Sequence, residues 1–184
     1  MRHRILSVLG LLLFSTSAFP QWRAEGEVIP DTEWRKSSGD FGAMLLVTSD
    51  PDSFFEAWNR PPSPDYKPKI ETSAEAHRGD TVVGVVVFLG CAPDESGNCK
   101  SDMDLRLLYP DGSVYGEFKD AEVWLDKAAP PTGVLQVSVA NLGLRVEPDD
   151  PFGTYRFEAV VRDRVAKKTL ELVQVLEVVP VNRP

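Results

Sequence analysis

Histidine is nearly missing from this chain of 184 residues, which holds only His3 and His77. A Ser-His-Asp hydrolase would have to use His77, and no Gly-x-Ser-x-Gly nucleophile elbow is present to partner it. His77 stands in Ala76-His77-Arg78-Gly79-Asp80, a turn signal ahead of an apolar run, and reads as an exposed turn residue. Zinc wants several His or Cys ligands, which one histidine and two cysteines do not supply. Phosphate loops, dinucleotide fingerprints and zinc-protease helix motifs are absent as well. The expectation is a protein without catalytic residues or cofactor, that is, no enzyme.

Positive charge is also in short supply, with 20 Lys+Arg against 28 Asp+Glu and a net charge of −8. Nucleic acid is therefore not expected as a partner, since binding it without sequence preference takes a basic surface. Docking on anionic lipid is disfavoured for the same reason.

Long apolar runs are limited to one, Ile5 to Phe14. It is too short to span a bilayer, which takes about 20 residues. Arg2, His3 and Arg4 precede it, and Thr16 and Ala18 follow as small residues at the −3 and −1 positions. Residues 1–18 thus read as a secretory signal peptide, with no stable membrane insertion after cleavage. No cysteine follows the run, so a lipoprotein is not indicated. The short basic start points to a bacterial protein, periplasmic or secreted. Cleavage would remove two arginines and no acid, taking the net charge from −8 to −10.

Cysteine usage agrees with export. Cys91 and Cys99 bracket the turn-rich Ala92-Pro93-Asp94-Glu95-Ser96-Gly97-Asn98. Their spacing is not the C-x-x-C of redox or zinc sites, so a structural disulfide is expected. Closing so short a ring restricts the unfolded chain by about 2–3 kcal/mol.

Residues 19–69 read as an N-terminal arm. Phe41 to Val47 (FGAMLLV) has strand composition, and Asp50 and Pro51 are placed to cap and open a short helix. Phe54, Phe55 and Trp58 would form its buried side, and Pro61-Pro62 would stop it. Four prolines between Pro61 and Pro68 then predict an extended strap. From residue 70 to 184 strands repeat between turns. Thr81 to Leu89 (TVVGVVVFL) is apolar on both faces, as a strand covered twice would be. Met103 to Tyr109 and Tyr155 to Asp163 alternate, with Tyr155, Phe157, Ala159 and Val161 inward. Val114 to Phe118, Val134 to Asn141 and Leu170 to Val179 complete the set. The pattern predicts an all-β chain folded as an antiparallel β-sandwich.

Asp150-Pro151-Phe152-Gly153-Thr154-Tyr155 opens a late strand with Gly-x-Tyr, which resembles the tyrosine corner of immunoglobulin-like sandwiches. The Asp of the usual Asp-x-Gly-x-Tyr falls on Pro151 here. With the Pro110-Asp111-Gly112 hairpin, residues 70–179 resemble fibronectin- or macroglobulin-type sandwiches of exported proteins. The resemblance implies an immunoglobulin-like fold and nothing about mechanism.

Candidate sites follow from the loops. Asp94, Asp102 and Asp104 lie in or beside the disulfide loop, and Glu147, Asp149 and Asp150 cluster before the corner. Calcium takes six to eight oxygens, and such loops are where a sandwich would supply them, but the spacing is not that of an EF-hand. Trp124, Tyr115 and Asp111 are the candidates for contact with a partner. Arg78-Gly79-Asp80 spells an adhesion tripeptide, although Gly-Asp before a strand is ordinary turn chemistry. The function expected is binding or scaffolding, directed at a protein of the envelope or exterior through sandwich loops or an edge strand. The alternative is a carbohydrate-binding module, calcium-assisted, that stacks sugars on Trp124.

Overall fold

The computed structural model describes residues 22–24, 27–61 and 70–181. The segment expected as a signal peptide and most of the expected proline strap lie outside the described residues. Among the described residues no helix is long and apolar enough to cross a membrane.

Two five-stranded sheets face one another across a single main core. The first holds β3 (Arg35–Ser38), β4 (Phe41–Thr48), β6 (Thr81–Leu89), β9 (Gln136–Val137) and β10 (Leu142–Arg145). Its order is β10-β6-β4-β3, with β9 beside β10 on the same flank of β6. The second holds β5 (Glu75–Ala76), β7 (Asn98–Leu108), β8 (Val114–Ala128), β11 (Gly153–Asp163) and β12 (Lys168–Val178), in the order β5-β12-β11-β7-β8. A two-residue pair, β1 (Arg23–Ala24) and β2 (Glu27–Val28), stands apart.

Period-two alternation explains the core. Tyr155, Phe157, Ala159 and Val161 of β11 are buried, as are Met103, Leu105 and Leu107 of β7. The β11–β12 hairpin pairs without a break from Gly153↔Val178 to Asp163↔Lys168. Gly84 of β6 leaves room for the Phe157 ring, because a Cβ there would stand 2.7 Å from it. The expected double cover of β6 is present. Val82, Val86 and Phe88 face the main core, while Val85 and Val87 join a second cluster under α1 (Pro51–Asn59). Asp50 caps that helix by accepting from the Ser53 amide at 3.1 Å, a contact worth about 1 kcal/mol. Phe54 is its buried residue, flanked by Phe55 and Trp58.

Four expectations change. The segment expected as an arm supplies β3 and β4, and β4 pairs β6 from Gly42↔Leu89 to Thr48↔Val83; residue 70 is therefore no boundary of the sandwich. The pairing is not wholly antiparallel, since β5 runs parallel to β12. The short strand at Val114 continues to Ala128, through bulges at which Asp120 and Asp126 take positive φ. Val134 to Asn141 contributes only the two residues of β9, and Val134, Leu135 and Val139 are exposed.

Candidate functional site

β7 fixes the layout of the loops. The disulfide lies at its start and the Pro110 hairpin beyond its end, which puts them about 30 Å apart at the usual rise per strand residue. The disulfide loop and the Pro110 hairpin thus belong to opposite ends of the sandwich.

At the hairpin end, Tyr109, Tyr115 and Tyr155 form an aromatic chain. The Tyr109 ring centroid is 4.8 Å from that of Tyr115 and 5.7 Å from that of Tyr155. Tyr155 is fully buried and its hydroxyl donates to the Pro151 carbonyl at 3.1 Å. Tyr109 and Tyr115 remain half-buried. Asp111 sits at the exposed tip and accepts from the Ser113 amide at 2.8 Å and its hydroxyl at 2.6 Å. Those bonds hold its carboxyl below the usual carboxylate range.

Arg78 completes this end. Its guanidinium donates twice to the Asp150 carbonyl, at 3.1 and 2.5 Å, and lies 4.0 Å over the Phe152 ring. The buried Asp150 carboxylate accepts from the Glu147 amide at 2.8 Å. The Asp80 carboxylate turns back onto the His77 amide at 2.8 Å. Both charges of Arg78-Gly79-Asp80 are thus engaged within the fold. Desolvation, then the nearby Asp150, pushes Tyr155 up to about 12. Tyr109 and Tyr115 are raised as well, by desolvation first and then by nearby Asp150.

At the disulfide end, Cys91 and Cys99 are bonded with a Cα–Cα distance of 5.9 Å, as expected. Asp94 accepts from the Asn98 amide at 3.0 Å and the Ser96 amide at 2.9 Å, and pairs with Lys100 at 3.0 Å. The Asn98 bond first, then Lys100, lowers its carboxyl. Sequence reasoning passed over Asp163, which is 1% exposed and accepts from the amides of Ala92, Val165 and Ala166 at 2.8, 3.0 and 3.0 Å.

Asp102 and Asp104 share the outer face of the second sheet, where guanidinium groups engage them. Arg162 donates to Asp102 at 3.0 Å and makes a two-pronged contact with Asp104. Arg164 grips Asp102 with two nitrogens and reaches Asp120 at 3.3 Å. The Arg162 contact holds Asp104 down at about 2, aided by the Asp120 amide. The three calcium candidates thus spend their oxygens on cations and amides of the fold. Among the described residues no group of three or more His, Cys, Asp or Glu is arranged to hold a metal ion.

Trp124 is half-buried on β8. Its indole N–H donates to the Ala128 carbonyl at 3.0 Å, its ring meets Phe88 at 6.0 Å, and the Lys127 ammonium stands 5.2 Å from the ring centroid.

No family model matches the chain, and no curated protein matches its sequence. Solved structures do align with it, among them the following two. One is a family 123 glycoside hydrolase from Clostridium perfringens, with a TM-score of 0.40 and 10% identity over 79% of this chain and 28% of that one. The other is a Niemann-Pick type C2 protein from Japanese carpenter ant, with a TM-score of 0.39 and 10% identity over 73% and 89%.

Proposed function

We propose that this chain is an exported, non-enzymatic binding protein that recognises another envelope or secreted protein through the loops of its hairpin end. The sandwich is read as immunoglobulin-like, on the strength of the Tyr155–Pro151 bond. One observation carries the functional reading. Aromatic surface from separate loops (Tyr109, Tyr115 and the 44% exposed Phe152) is fixed in place yet left open to solvent. Rigid aromatics lose little entropy on contact, which is why they anchor interfaces. Asp111, Glu147 and Asp149 surround them on the exposed side, and such a rim favours a basic partner.

Edge-strand pairing is the weaker route. The β8 edge is bulged, and residues 139 and 140 already bond to Val123 and Glu122 at 3.1 and 2.9 Å. The outer edge of β12 meets β5 and accepts no further strand where Val173 donates to Glu33 at 2.8 Å. Sugar stacking on Trp124 would compete with Lys127, whose ammonium stands 5.2 Å from the ring centroid.

The test is a photo-crosslinking amino acid placed at Asp111, and separately at Glu171 on the outer face of the second sheet, in cells. The expected result is a discrete adduct from position 111 and none from 171. Equal adducts from both positions, or none from 111, would reject the reading.

A further inference from the structure

Three loops enclose a groove of about 620 Å³ at the disulfide end, within the range of pockets that hold ligands. Its walls include Ala92, Pro93, Ala129, Pro130, Pro131 and Ala166. Each wall is tied to the next. The Asp163 carboxylate joins the Ala92 loop to the Ala166 turn, and the Ala129 amide donates to the Gly97 carbonyl at 3.0 Å. The disulfide closes the loop that carries Ala92 and Gly97. Gly90 (φ 68°) allows a contact that no side chain would, since a Cβ there would meet the Asp40 carbonyl oxygen at 1.7 Å. The groove is therefore built before any ligand arrives, which lowers the ordering cost of binding.

Lys168 lines this groove beside Asp40. Its ammonium rests against Gly39, 2.7 Å from where a Cβ would stand, and it makes no ion pair or side-chain hydrogen bond among the described residues. Arg164, two residues before the Ala166 turn, is engaged by Asp102 and Asp120, so Lys168 is the cation that lines the groove. An unpaired ammonium above apolar walls selects a ligand with one carboxylate and an otherwise neutral body. Glycines and the small side chains of Ala and Pro bring that body close to loop backbone and to Thr132, which suits the amides of a peptide better than an acyl chain.

We infer that the disulfide-end groove is a second binding site, separate from the hairpin end, for an extended peptide segment whose carboxylate sits on Lys168. The site does not depend on the proposed role of the hairpin end. The carboxylate can come from an acidic side chain or from a peptide C-terminus, and the test separates the two.

The isotope-labelled protein is titrated by NMR to millimolar levels with short Ala/Val peptides. One carries an internal glutamate and an amidated end, one is neutral with a free C-terminal carboxylate, and one is neutral and amidated. At least one carboxylate peptide is expected to shift the amide signals of Gly39, Ala92 and Lys168 saturably, and the neutral amidated peptide to shift none. Lys168→Ala should weaken that binding about tenfold, while Asp40→Asn, which removes the opposing charge, should strengthen it. The inference is overturned if no peptide shifts these signals, if the neutral peptide shifts them equally, or if Lys168→Ala leaves affinity unchanged. None of those results bears on crosslinking at Asp111.

Discussion

The two ends of the sandwich are held by different physics. At the disulfide end the loops are fixed by a covalent bond and by main-chain groups gathered on one buried carboxylate, Asp163. Side-chain ties there are peripheral, such as the Asp94–Lys100 pair, and Lys168 makes no ion pair among the described residues. At the hairpin end the loops are fixed by side chains: the three stacked tyrosines, the Arg78–Phe152 contact and the Tyr155–Pro151 bond. The groups that hold this end are continuous with its outer surface. A substitution at the hairpin end is therefore expected to disturb structure and recognition together, whereas at the disulfide end the two are separable.

Removing the tie at the disulfide end should have the largest effect. Asp163→Ala leaves the amides of Ala92, Val165 and Ala166 without their acceptor. The expected loss is about 4 kcal/mol, read from urea unfolding. A loss no greater than that of Tyr155→Phe would remove the contrast between the ends.

Between the ends, Asp104→Asn gives a control with a pH signature. Its folded-state carboxyl is depressed to about 2 by Arg162 from an ordinary 3.8. The contribution is fully present above pH 4 and is lost as pH falls toward 2. At neutral pH it amounts to about 2 kcal/mol. Wild type and variant should differ in stability at pH 6 and converge near pH 2, while both ends respond normally.

The smallest effect is expected at the corner. Tyr155→Phe keeps the ring stack and loses one hydrogen bond, about 1 kcal/mol. The folded-state phenol is raised to about 12, so its stabilising contribution holds below pH 10 and declines between 10 and 12. Absorbance titration should show one tyrosine fewer ionising in the Tyr155→Phe variant above pH 11.

What the sequence discloses follows from how local each signal is. The Asp50 cap, the two-faced β6 and the alternation of β11 depend on neighbours along the chain, and they were readable. The place of β4 between β3 and β6 depends on a partner about 40 residues away, a distance that no local period encodes. The length of β8 was hidden because its bulges at Asp120 and Asp126 break the period of two. Asp102 and Asp104 could be assigned to one face, but their arginine partners required the β7–β11 register, Asp102↔Arg162. Asp111 and Tyr115 were legible as hairpin residues. Arg78, Phe152 and Asp163 act through contacts that only the fold creates.

The central claim is that recognition belongs to the hairpin end. Affinity capture from an envelope extract, run with three baits, tests it most directly: wild type, a double Tyr115→Ser/Phe152→Ser variant and Lys168→Glu. The account predicts a stoichiometric partner that is lost from the hairpin-end variant and retained by Lys168→Glu, with both variants folded by circular dichroism. A partner retained by the hairpin-end variant, or lost only with Lys168→Glu, would contradict it.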